Sequence, residues 1–147
     1  MIKRFKDFTK YVSLAYKYLI KIKSEGIKEF GLKGSHVMCL FYIGESENGL
    51  TATKLCQLCC EDKAAISRTL NELEIKGYTM TELSAGRKYR ARVCLTDEGI
   101  GISCHIDKLI EGWVTVGGEG LTEEQRAGFY NALNLIAGNL KKHHEKN

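Results

Sequence analysis

The stretch of sequence that decides the fold is residues 50–68, which reads LTATKLCQLCCEDKAAISR. Thr51 and Asp62 each stand where a helix N-cap is expected, and each precedes a short run with apolar residues at helical spacing. A tight turn at Cys60 separates the two runs. Two short helices joined in this way predict a helix-turn-helix, in which the first helix braces the second.

The second of these helices has two chemically different faces. Its apolar anchors are Ile66, Leu70 and Leu73, whereas its other face carries small and polar residues that let a backbone approach base edges. Arg68 can reach a guanine edge or a phosphate, and the alanines suit thymine methyl groups. The alternative is an ordinary amphipathic helix with a charged solvent face. The predicted DNA contacts here are Thr51, Lys63, Ala64, Ala65, Ser67 and Arg68.

A basic β-hairpin is predicted to follow the two helices. Residues 78–83 favour a strand, Ser84-Ala85-Gly86 favours a turn, and a second strand is predicted over residues 90–95. The four cations of this hairpin are Arg87, Lys88, Arg90 and Arg92. An arginine-rich wing can lie along a DNA backbone or enter a narrow minor groove, although cations also protect exposed sheet edges.

Helices with apolar stripes are predicted at both ends of the chain. Residues 5–22 carry one stripe, and two more lie in residues 102–113 and 129–140. Ser35, Thr96 and the pair Thr122 and Gln125 are the expected caps of the helices that begin beside them. The predicted fold is therefore mainly α with a small β-hairpin wing. Residues 34–96 form the winged helix-turn-helix, and residues 1–33 and 97–147 form dimerisation helices.

Composition excludes several classes of protein. The 147 residues are 44% hydrophobic and 27% charged, as expected for one globular domain. The longest uncharged apolar stretch, residues 34–44, is too short to span a membrane, and the charged N-terminus has no signal-peptide core. We therefore expect a cytoplasmic protein with reduced cysteines. The net charge of +4 is distributed unevenly, because residues 62–92 carry seven Lys/Arg against four Asp/Glu. This local excess favours a polyanionic partner.

Three phrases resemble the MarR family of bacterial transcription regulators. They are DKAAISR at residues 62–68, LEIKGY at residues 73–78 and LTDEG at residues 95–99. The resemblance implies a winged helix-turn-helix homodimer that binds a palindromic operator in double-stranded DNA. It also implies a regulator without catalytic activity, usually a repressor that a small ligand releases.

The chain departs from this family at two places. Arg87 and Tyr89 occupy wing positions where many members carry an aspartate and an arginine, so the ion pair of those wings is not expected. Cys60 occupies the turn position where glycine is common.

Cysteine and histidine residues raise the alternative of a metal- or thiol-responsive regulator of the same fold. Cys56, Cys59 and Cys60 form a CxxCC cluster, but their positions favour packing between helices. Zinc-sensing relatives take ligands from regions comparable to those of His36 and His105. Cys39, Cys104, Glu25 or Glu29 could complete a tetrahedral site. The second histidine of those relatives is absent, so we expect neither a metal nor another cofactor. A winged-helix module that binds protein instead of DNA is the remaining alternative.

Overall fold

The computed structural model describes residues 1–82 and 91–146, and its elements follow the predicted order. Helix α1 spans Ile2–Gly26, and a 3₁₀ turn at Lys28–Phe30 leads to α2 at Gly34–Gly44. The two short helices are α3 (Ala52–Cys59) and α4 (Lys63–Ile75). Strands β1 (Thr79–Glu82) and β2 (Arg92–Leu95) precede the long helices α5 (Asp97–Gly117) and α6 (Glu123–Glu145).

Side-chain caps fix the starts of four helices as the sequence predicts. The Thr51 hydroxyl accepts from Lys54 N–H at 3.2 Å, and Asp62 Oδ1 accepts from Ala65 N–H at 2.7 Å. Thr96 caps α5 in the same way, and Thr122 and Gln125 form the capping box of α6. The prediction that Ser35 caps α2 is wrong, because the N-cap is Lys33, whose backbone N–H donates to the ring of His36.

Residues 1–109 form one compact unit, whose core lies between α2, α3, α4 and the first half of α5. The buried side chains come from several elements, so this unit is held together by packing between its elements. The core residues are Ile27, Leu32, Val37, Cys39, Leu40, Ile43, Leu55, Ile66, Leu73, Val93, Ile102 and Ile106.

Strands β1 and β2 pair antiparallel, with Thr79 opposite Leu95 and Glu82 opposite Arg92. A third segment joins them, because Leu50 forms a bridge with Val93 through hydrogen bonds of 2.8 and 3.0 Å. The residue before it is Gly49, with φ +67°, where a Cβ atom would collide with the Val93 carbonyl. The base of the wing is therefore fixed to the start of α3, a connection that the sequence did not predict.

Residues 110–147 form the second compact unit, which contains the end of α5 and all of α6. Next to the capping box of α6, Arg126 Nη2 donates to the Gly118 carbonyl at 3.5 Å. No residue of α6 that the structure describes is buried, and the same holds for α1 in the first unit. The predicted stripes in residues 5–22 and 129–140 thus form helices on which large apolar side chains remain exposed. None of the helices in the described ranges combines the length and apolarity needed to cross a membrane.

Gly99 and Gly101 provide a matched test of packing in the first turns of α5. A Cβ at Gly99 would meet the Tyr78 carbonyl, whereas a Cβ at Gly101 meets nothing within 4 Å. We expect Gly99→Ala to lower the free energy of unfolding by about 1–3 kcal/mol, because backbone must move. Gly101→Ala should raise it by about 0.5–1 kcal/mol through helix propensity. Urea unfolding measures both, and equal effects would contradict the close approach at Gly99.

Candidate nucleic-acid interface

The turn between α3 and α4 is made by a residue in the left-handed conformation. Cys60 has φ +55° and ψ +37°, and it is the one described residue other than glycine with positive φ. Its N–H and that of Glu61 both bond to the Cys56 carbonyl, which closes the end of α3. The usual glycine avoids the steric cost of this conformation, which is roughly 1–2 kcal/mol for other residues. The geometry of a helix-turn-helix is therefore kept although the glycine is missing.

The outward face of α4 is open to solvent. Lys63, Ala64, Ser67 and Arg68 are exposed and Ala65 is half-buried, whereas Ile66, Thr69 and Leu73 of the same helix are buried. The predicted division between a packed face and a solvent-exposed face is therefore present in the folded chain. A helix with such an exposed face can present small and polar side chains to a groove without movement of the residues that pack on its other face.

The predicted contact residues lie on two flanks of α4. Lys63, Ala64 and Ser67 line an open groove of about 690 Å³ together with Ala52 of α3. Ala65 and Arg68 line a different cleft, which also contains Glu72 and residues of α2. Thr51 is half-buried, and its hydroxyl oxygen caps α3 while the hydroxyl proton is left to donate.

A polar network holds the opposite side of α4 against α2. His36 is fully buried, its Nδ1 accepts the Lys33 N–H at 2.9 Å, and its Nε2 lies 2.9 Å from Glu72 Oε2. Because Nδ1 accepts, the ring proton is on Nε2 and is donated to the carboxylate. Lys33 Nζ completes the network with 2.8 Å contacts to both Glu72 oxygens. Sequence reasoning missed this network, because Lys33 and His36 are far from Glu72 along the chain.

The network and its burial shift the pKa values of His36 and Glu72. Burial lowers the pKa of His36 below its usual value, and this exceeds the opposing effect of the Glu72 carboxylate. The hydrogen bond from Lys33 lowers the pKa of Glu72. Near neutral pH the histidine is therefore neutral and the glutamate is ionised.

Arg92, the wing cation that the structure describes, lies in β2 and forms hydrogen bonds within the protein. Arg92 is exposed, and its Nη1 lies 3.3 Å from the carbonyl oxygens of Asn48 and Gly49. It thereby ties β2 to the loop before α3 while part of its guanidinium still faces solvent. The other three predicted wing cations, Arg87, Lys88 and Arg90, lie outside the described residues.

The structure does not bring the candidate metal ligands together. His36 contacts Glu72, Cys39 contacts Cys59, and His105 packs edge-on against Phe30 with Glu29 at 3.8 Å. Cys104 is exposed on α5. Over residues 1–82 and 91–146, no group of three His, Cys, Asp or Glu side chains is arranged to hold a metal ion.

Comparison with solved structures identifies the fold. A MarR transcriptional regulator from Methanosarcina mazei is 22% identical with a TM-score of 0.78, covering 93% of this chain and 91% of its own. The chain has the MarR-type winged-helix fold. The S. aureus MepR–DNA complex (16% identical, TM-score 0.82, 90% and 97% covered) shares it. So does CouR from Rhodococcus jostii bound to p-coumaroyl-CoA (17%, TM-score 0.80, 89% and 92% covered). No family model and no curated protein matches the sequence.

The buried histidine predicts a pH-dependent stability of this MarR-type domain. Since the folded-state pKa of His36 lies below that of the unfolded chain, the unfolded state binds more protons below about pH 6.5. The contribution of neutral His36 to the free energy of unfolding is complete above that pH and is lost as the pH falls towards the folded-state pKa. Between about pH 7.5 and pH 5.5, the free energy of unfolding should fall more for the wild type than for His36→Gln.

Urea titrations at the two pH values measure this difference. Glutamine is the matched replacement because Gln125 already accepts the N-cap N–H of α6 in the equivalent position. Glu72 does not confuse the measurement, because its lowered pKa places its own contribution below this pH window. Equal falls in the free energy of unfolding for the wild type and His36→Gln would contradict a lowered pKa of His36 in the folded protein.

Proposed function

We propose that the chain is a sequence-specific double-stranded DNA-binding transcription regulator that acts as a homodimer on a palindromic operator. The observation that carries this proposal is the open outward face of α4, whose other side is held to α2 through His36 and Glu72. The sequence adds four cations in the segment that follows, of which Arg92 is exposed in β2. Small residues at Ala64 and Ala65 allow close approach to base edges, and Lys63 and Arg68 provide cations for the adjacent phosphates. The role is binding rather than catalysis.

The uncovered helices support the homodimer. Large apolar residues on α1 and α6 remain exposed, among them Phe5 at 69%, Phe129 at 56% and Leu140 at 57%. Apolar surface of this extent on two long helices is typical of an interface and is costly in water. A second copy of the chain can cover these apolar faces, and a symmetric dimer would present two α4 helices to two half-sites of one operator.

Repression relieved by a small molecule is the form of regulation that we propose. Solved structures of this fold include one bound to DNA and one bound to a coenzyme A thioester. The ligand of this chain is not specified by its residues. If the protein were instead a module for protein contacts, it would show no salt-dependent affinity for DNA.

Selection of bound fragments from random duplex DNA, followed by gel-shift titration at several salt concentrations, tests the function directly. We expect an enriched sequence with two-fold symmetry, and an affinity that falls linearly with the logarithm of salt concentration. Recovery of fragments without a shared sequence would overturn the proposal.

Arg68→Ala should weaken binding to the selected operator and to unrelated duplex DNA by similar factors. Arg68 lies on the flank of α4 beside Glu72, outside the groove that Lys63, Ala64 and Ser67 line, so we assign it to a phosphate. The slope of log affinity against log salt should decrease in magnitude by about one. Lys108→Ala, which removes an exposed cation from α5, is the control. A loss confined to the operator would show instead that Arg68 reads a base.

The homodimer predicts a mass in sedimentation equilibrium of twice the 16.5 kDa of one chain. Leu140→Asp should shift the mass towards the monomer, because a carboxylate buried in an apolar interface costs several kcal/mol. The neighbouring exposed residue provides the control, since Asn139→Asp adds the same charge beside the apolar stripe. Dissociation by both variants, or by neither, would argue against an interface at Leu140.

A further inference from the structure

Two thiols from different helices meet beside α4, the second helix of the helix-turn-helix. Cys39 of α2 and Cys59, the last residue of α3, have their sulfur atoms 3.8 Å apart. A disulfide bond is about 2.05 Å long, so the two atoms need to approach by about 1.8 Å. Cys56, Cys60, Cys94 and Cys104 are also free thiols, but the described contacts include no other sulfur pair.

The two thiols have unequal environments. Cys59 is half-buried and faces a cleft, whereas Cys39 is only 1% exposed. The hydrogen bond that it shares with Cys39 lowers the pKa of Cys59, and the nearby Lys23 ammonium adds to this effect. The same hydrogen bond, together with burial, raises the pKa of Cys39. Cys59 is therefore suited to react first as a thiolate, with Cys39 behind it as the resolving thiol.

The cleft in front of Cys59 has a volume of about 280 Å³ and is mixed in charge. Its cations are Lys23, Lys33 and Arg68, and its carboxylates are Glu61 and Glu72. Lys33 and Glu72 neutralise each other at 2.8 Å, which leaves two cations against Glu61. The remaining positive charge favours a small reactant that carries carboxylates.

We propose that Cys39 and Cys59 form a reversible intramolecular disulfide by exchange with a small anionic disulfide that enters this cleft. The Cys59 thiolate attacks one sulfur of the reactant, forming a mixed disulfide and releasing one thiolate. Cys39 then loses its proton and attacks the Cys59 sulfur, which forms the Cys39–Cys59 bond and releases the second thiol. Two protein thiols are oxidised, and one disulfide is reduced to two thiols.

The position of Cys59 links this bond to the interface described above, so this consequence rests on the proposed DNA-binding function. Cys59 directly precedes Cys60, which makes the left-handed turn, and Asp62, which caps α4. A shift of the α3 terminus towards α2 changes the turn that sets the orientation of α4. We expect the disulfide form to bind operator DNA at least fivefold more weakly, within the usual range of coupling between two sites.

The chemical step is tested on the full-length native protein with oxidised glutathione as the probe. After alkylation of the remaining thiols, trypsin places Cys39 in the peptide 34–54 and the CxxCC cluster in the peptide 55–63. We expect these two peptides to be linked within one chain, with the loss of two hydrogens. The double variant Cys56→Ser/Cys60→Ser should keep the link, and Cys59→Ser should lose it.

Two further variants separate chemistry from damage to the fold. Cys39→Ala removes the buried thiol without leaving an unpaired hydroxyl, and it should retain glutathione on Cys59 as a mixed disulfide. Lys23→Gln should slow the reaction of Cys59 and move its pH profile to higher pH, an effect that a packing role of Lys23 would not produce. Links that require Cys56 or Cys60, or that join two chains, would overturn the proposal.

Charge selectivity is measured against an internal reference. The rate at Cys59, divided by the rate at the exposed Cys104 of the same protein, should be higher with oxidised glutathione than with the cationic disulfide cystamine. An equal or reversed ratio would refute the anionic reactant.

Gel-shift titration of the reduced and disulfide forms then measures the effect on DNA, with Cys59→Ser as the unresponsive control. Equal affinities of the two forms would refute an effect of the disulfide on DNA binding, but they would not contradict its formation. If neither form binds DNA, the proposed function fails, while the peptide map still decides whether the disulfide forms.

Discussion

The hydrogen bonds that His36 and Glu72 form between α2 and α4 are the constraint on which the rest of the structure depends. A recognition helix must keep one face free, so it has to be held entirely from the other. Apolar burial of Ile66 and Leu73 supplies most of the attraction, while the directional bonds of His36 fix how α4 is rotated about its axis. With that rotation set, Lys63, Ala64 and Ser67 face solvent.

Helix α2 is the element that joins the two helices of the helix-turn-helix. His36 reaches α4 and Cys39, one turn later, reaches the end of α3, so a single helix contacts both halves of the helix-turn-helix. The bridge between Leu50 and Val93 adds strand β2, at the base of the wing, to the same set of contacts. A chemical change at Cys59, as proposed above, would therefore act on the turn that precedes α4 without any need for a distant pathway.

Much of this arrangement could be predicted from the sequence, because it depends on local rules. Caps at Thr51, Asp62, Thr96 and Thr122 act on neighbouring backbone within three residues, and apolar spacing reports which face of a helix is packed. The exposed side of α4 follows from the same spacing. The prediction at Ser35 failed because the N-cap is Lys33, whose N–H donates to the side chain of His36. A histidine at that position is not a residue that sequence rules identify as a cap.

The sequence by itself determined the order of helices and strands, the exposed face of α4 and the apolar character of α1 and α6, because each depends on residues within a few positions of one another. Only the tertiary structure decided that His36 meets Glu72, that Cys39 meets Cys59 and that Gly49 allows Leu50 to pair with Val93. Those contacts join residues 20 to 43 positions apart in the chain. No periodicity encodes such pairs, since they arise from the way in which whole helices pack.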